Sequence, residues 1–159
     1  MSHENRSCTF IRVVSASRLI FIFIVAVAAL ALQLRAQILT EGFESTTFPP
    51  TGWVIQNASS PLGTNTNCWN RFTTTPWPPR TGVGHAGANF NCTAGAGTIS
   101  GWLMGPETVF ENGQLIRFWT RKGTTDNFPD RLELRLSTNG ASTSTGGTAD
   151  SVGDFTTWD

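Results

Sequence analysis

In Arg131-Leu132-Glu133-Leu134-Arg135-Leu136, leucine occupies every second position and every residue between is charged. Successive side chains of a strand point to opposite faces, so this spacing predicts a half-buried β-strand with leucines inward and charges outward. On a helix the same leucines would be scattered around the barrel. A second run, Leu115-Ile116-Arg117-Phe118-Trp119-Thr120-Arg121, is rich in β-branched and aromatic residues and follows the turn signal Asn112-Gly113. Ile116, Phe118 and Thr120 would share one face, and Leu115, Arg117, Trp119 and Arg121 the other. Lys122 to Pro129 contains the turn residues of a long hairpin connection. Trp102-Leu103-Met104, ended by Gly105-Pro106, is expected as a short strand feeding this pair.

The start of the chain reads differently. Arg6, Arg12 and Arg18 precede the apolar run Leu19 to Leu32, and Ala36 offers a small residue for cleavage. This is the pattern of a secretory signal peptide over residues 1–36. The run has 14 residues, short of the roughly 20 that a membrane span needs; an uncleaved anchor is the alternative. Residues 37–159 suffice for one domain. They carry seven Lys and Arg against ten Asp and Glu, leaving a formal charge of −3. Such a balance does not attract a phosphate backbone, so nucleic acid is excluded as a partner. Contact with a membrane is expected only through the leader.

Cys68 and Cys92 are the two cysteines after the leader. In an exported chain a disulfide is the expected use of such a pair. No Cys/His spacing supports a zinc site.

Ile38 to Glu44 reads as a first strand, Phe48 to Trp53 as a proline turn, and Val54-Ile55 as a second strand. Between Asn57 and Gly101 the chain is mostly Thr, Asn, Gly and Pro. Short strands are expected at Trp69 to Phe72, Gly87 to Phe90 and Thr98 to Met104, with His85 in a loop. Tryptophans are expected to hold this aliphatic-poor region together. Thr138 to Asp154, nearly all Gly, Ser, Thr and Ala, reads as a flexible surface loop. No period of 3.6 follows the leader, so the domain is expected to be all-β, as a two-sheet sandwich or a barrel.

Several of these pieces, in this order, resemble the choice-of-anchor J domain, also described as the cleaved-adhesin domain. They are Glu41-Gly42-Phe43-Glu44, Phe48-Pro49-Pro50-Thr51-Gly52-Trp53, Trp102 to Pro106, Leu115 to Arg121, Pro129 to Leu134 and Ser137 to Gly140. The resemblance implies a two-sheet antiparallel jelly-roll sandwich, related to MAM-like domains, on a bacterial secreted or surface-attached protein that takes part in adhesion. Val152 to Thr157 resembles the stretch that leads into the family's closing strands, and the sequence ends there, so a sandwich incomplete at its C-terminus is expected. The resemblance also implies a structural calcium ion near the first strand, with Glu44 as first candidate ligand and Glu41 as second; the alternative is two solvated glutamates and no cofactor.

The leading functional expectation is a non-catalytic adhesion or binding module for an extracellular glycan or protein. Trp69, Trp77, Arg80 and Trp119 are the candidate ligand contacts. Trp119, set among arginines, is either covered by an adjacent loop or stands as an aromatic platform. Two alternatives are a purely structural spacer and a jelly-roll glycan hydrolase, which needs paired carboxylates. A retaining jelly-roll hydrolase resembles Glu-x-Asp-x-x-Glu; here Asp130 and Glu133 keep the last spacing, but Phe128 stands at the first position. Asn57 and Asn91 head glycosylation sequons that are expected to stay unmodified in a bacterial setting.

Overall fold

A computed structural model describes residues 38–123 and 131–157. The leader expected over 1–36, the family-like Pro129 and the candidate Asp130 lie outside the described residues. The chain divides at Ile38, and the fold described here belongs to the unit that starts at Leu39.

The described residues are all-β. They form eight short strands: β1 (Val54–Asn57), β2 (Ser60–Leu62), β3 (Trp69–Phe72), β4 (His85–Ala88), β5 (Thr93–Thr98), β6 (Gly101–Met104), β7 (Arg135–Leu136) and β8 (Thr156–Thr157). One 3-10 turn, Phe90–Cys92, lies between β4 and β5. All four ladders are antiparallel and two-stranded: β1 with β6, β2 with β5, β3 with β4, and β7 with β8.

The first three ladders nest inside one another. Val54 faces Met104 and Asn57 faces Gly101; further in, Ser60 faces Thr98 and Leu62 faces Thr93; innermost, Trp69 faces Ala88 and Phe72 faces His85. Residues 54–104 are therefore one long hairpin whose tip is the Pro-rich loop 73–84. Its register shifts between Ser60 and Leu62, where the partner strand runs Ala94-Gly95-Ala96-Gly97. Small residues accommodate such a bulge.

Side chains carry the pairing through the irregular stretches. Ala58 N–H donates to Ser100 O at 2.8 Å, and Ser100 N–H donates to the buried Ser59 Oγ at 2.9 Å. Asn57 Nδ2 gives its two protons to Asn65 O at 3.1 Å and Cys92 O at 2.9 Å. A glycan on Asn57 would replace one of these protons and so break one of the two bonds.

The ribbon bends back, so that β3 lies against β6. Cys68 and Cys92 are disulfide-bonded, with Cα atoms 4.7 Å apart, and both are fully buried. Their bridge lies over Gly101, where a Cβ would collide with Cys68 Sγ. The disulfide and Met104 are the buried apolar centre, and Trp53, Trp69 and Trp102 are half-buried, Trp69 with its Nε1 near Gly101 beside Cys68. A separate aromatic group precedes the ribbon, with the Phe43 ring 6.0 Å from Phe48 and 5.4 Å from Trp53.

Residues 131–157 dock onto the outer ladder. Trp102 meets Phe155 at 5.3 Å between ring centroids, and Gln56 Nε2 donates to Thr145 Oγ1 at 2.9 Å. Thr145 is only 1 % exposed. The segment 138–154 is thus a hydrogen-bonded turn system and not the free loop that its composition suggests. Asp154 Oδ2 accepts from Asn139 Nδ2 at 2.9 Å and from Ser142 Oγ at 2.6 Å.

Other expectations are corrected as well. Ile38 to Glu44 is not a strand, because Phe43 adopts φ 58° and the carbonyls of Phe43 and Glu44 serve a side chain instead of a ladder. Leu115 to Arg121 and Arg131 to Leu134 are unpaired among the described residues, and only Arg135–Leu136 joins a ladder, with Thr156–Thr157. Without a covering layer the leucines are not inward: Leu132 is 57 % and Leu134 41 % exposed. Trp102-Leu103-Met104 is a strand, but it pairs with Val54–Gln56 and not with the segment after it. The strand expected at Gly87 to Phe90 begins at His85 and ends at Ala88, where the 3-10 turn takes over; His85 is therefore a strand residue.

Candidate binding surface at the ribbon tip

The hairpin tip is held from two sides. On one, Arg71 of β3 reaches the segment before the ribbon: its Nε donates to Phe43 O at 2.7 Å and a terminal nitrogen donates to Glu44 O at 3.1 Å. Glu44 in turn accepts the Val83 N–H on Oε2 at 2.7 Å. Gly82 lets this happen, because it adopts φ +71° and a Cβ there would collide with the Glu44 carboxylate. Sequence reasoning missed Arg71; its only signal was a lone arginine in an otherwise apolar and amide-rich strand, Trp69-Asn70-Arg71-Phe72.

On the other side, the Arg80 guanidinium lies 3.4 Å from the centroid of the Trp119 ring. A guanidinium stacks on an indole face and keeps its in-plane N–H donors free for other partners. Trp119 remains 73 % exposed, so it is not buried among the described residues even with the guanidinium over its ring. Arg117 and Arg121 are exposed and stand two residues to either side.

The four candidate contacts therefore separate. Arg80 and Trp119 come together. Trp69 is half-buried with its Nε1 beside Gly101 and no hydrogen-bond partner, which makes it part of the packing under the disulfide. Trp77 is half-buried in the tip loop.

The calcium candidates do not fit a calcium site. Ca²⁺ takes six to eight oxygens, whereas the two carbonyls beside Glu44 already hold a guanidinium and its carboxylate holds an N–H. Glu41 uses Oε1 to accept the Phe43 N–H. Among the described residues no three His, Cys, Asp or Glu side chains converge as a metal site.

Glu133 is held between two arginines: Oε1 meets Arg131 Nε at 2.6 Å and Oε2 pairs with Arg135. Its carboxylate is thus engaged on both oxygens. His85 stacks on Phe72 at 5.7 Å, and its Nδ1 is buried without a partner. Burial, and secondarily the positive charge of Arg71, hold its pKa below the ordinary 6.5.

No family model, curated protein or solved structure matches the chain. No helix among the described residues is long and apolar enough to cross a membrane.

Proposed function

We propose that this chain is a non-catalytic binding module that presents the Trp119–Arg80 pair to an extracellular glycan or protein. The observation that carries the reading is the exposure of Trp119, 73 %, in a chain whose other described indoles are half-buried. Leaving this indole in water forgoes burial energy that the other described tryptophans collect. Tryptophan and arginine are also the residues that most often dominate binding energy at interfaces.

The resemblance to choice-of-anchor J domains supports the same class, together with export by the leader and a jelly-roll sandwich. In that sandwich a second sheet would cover the apolar side chains now open on Leu115, Phe118, Leu132 and Leu134. The hydrolase alternative would need Glu133 released from its two arginines, and nothing in the geometry favours that. The spacer alternative gives Trp119 no role.

The test is a glycan and matrix-protein array probed with the exported chain and with Trp119→Ala. Saturable binding that weakens at least about ten-fold in the variant, at unchanged melting temperature, is the expected result. Binding indifferent to the substitution would overturn the reading, and no saturable binding to any surface would favour the spacer.

A further inference from the structure

We infer that the surface around Trp119 recognises an anionic sugar, a pyranose bearing a ring carboxylate, as in a polyuronate. This rests on the binding-module reading above and narrows it to a ligand class.

The argument is the unequal use of the arginines. Arg71 is engaged by the Phe43 and Glu44 carbonyls, and Arg131 and Arg135 share Glu133. Arg80, Arg117 and Arg121 have no carboxylate partner among the described residues. All three gather at the most exposed indole of the described chain. Arg80 is stacked on it at 3.4 Å, and two residues of chain cap the Cα separation of Arg117 or Arg121 from Trp119 at about 7 Å. The exported part is acidic overall, with ten carboxylates to seven cations, so an unpaired cationic group is not a by-product of a basic chain.

The chemistry of the pair is complementary to one ligand type. A stacked guanidinium directs its in-plane N–H donors away from the ring, in the fork that matches a carboxylate. The indole offers a flat apolar face, which suits the C–H face of a pyranose. A uronate residue presents both features within one ring. An acidic peptide would satisfy the guanidinia without using the ring, and a neutral sugar would use the ring without the guanidinia.

The experiment compares polygalacturonate, its methyl-esterified form with the same backbone, and polyglutamate, each titrated against the exported chain at low and at raised salt. Polygalacturonate should bind about ten-fold or more tightly than the ester, with the advantage shrinking as salt rises. Arg80→Gln should reduce polygalacturonate binding to the level of the ester and leave the ester unaffected; Arg117→Gln is a second variant with the same expected direction. Trp119→Ala should abolish both. Equal affinity for acid and ester would overturn the anionic assignment while leaving the broader binding reading intact. Polyglutamate binding as tightly as polygalacturonate would overturn the sugar assignment in favour of an acidic protein surface. Binding to none of the three would overturn the inference, and the array experiment would then decide the broader reading by itself.

Discussion

Arg71 and Glu44 clasp the ribbon tip to the segment that precedes it, and each has a separable effect. Arg71→Ala leaves two carbonyls without their charged donor and should cost about 1–3 kcal/mol in urea unfolding. Gly82→Ala places a methyl group against the Glu44 carboxylate at φ +71°, with an expected cost of about 1–3 kcal/mol. Because the clash is with one side chain, Glu44→Ala should recover part of that loss, so the double variant will be more stable than additivity predicts. His85 sets a pH dependence whose sign follows from its lowered pKa. The unfolded chain takes up the proton first as pH falls through 6.5, so stability is full above that value and declines below it, toward the lower folded pKa. Asp154, whose hydrogen bonds from Ser142 and Asn139 lower its pKa below 3.8, adds a second loss at stronger acid. Melting curves should fall between pH 7 and 5, and His85→Phe, which keeps the stack on Phe72, should flatten that decline.

At the level of elements, the disulfide is the fastening with the largest expected effect. It closes a separation of 24 residues, which the chain-entropy model values at about 3 kcal/mol. Reduction, or Cys68→Ser with Cys92→Ser, should lower the melting temperature clearly, since the bridge is also the centre of the buried apolar group. Some of this was legible in the sequence: the cysteine pair, the strands at Trp69 to Phe72 and Trp102 to Met104, and the strand at Val54-Ile55 all carry local signals. Partnership was not legible. Alternation specifies which face a residue takes but not which strand lies beside it, so Trp102 to Met104 seemed to belong with the run after it and pairs instead with Val54–Gln56. The links that fix the true pairing, Asn57 to two carbonyls and Ser59 to Ser100, are single polar contacts without a period. Ile38 to Glu44 has strand-like composition, but side chains take its backbone groups. The same holds for Thr138 to Asp154, where a Ser/Thr-rich composition concealed a hydroxyl-satisfied turn system. Of the surface, Trp119 and Arg80 were each visible as candidate contacts; their pairing was not, because only the tertiary fold joins the tip loop to that segment.

For the molecule as a whole, a long folded-back hairpin carries in its tip loop the Arg80 that lies over the exposed Trp119 ring. Since Arg71 donates to the Phe43 and Glu44 carbonyls and Glu44 accepts the Val83 N–H, added calcium should leave the melting temperature unchanged. The central structural claim is the nesting of β1 through β6 into a single ribbon. Cross-strand Hα–Hα contacts at the non-hydrogen-bonded pairs, and amide–amide contacts at the hydrogen-bonded pairs between them, in a nuclear Overhauser spectrum of the protein test it most directly, because they report register without reference to stability. The account requires that contacts in the ladders of residues 54–57 and 69–72 follow the pairings of Ile55 with Leu103, Gln56 with Trp102, and Asn70 with Gly87. Contacts joining Trp102–Met104 to Leu115–Arg121 instead would contradict it.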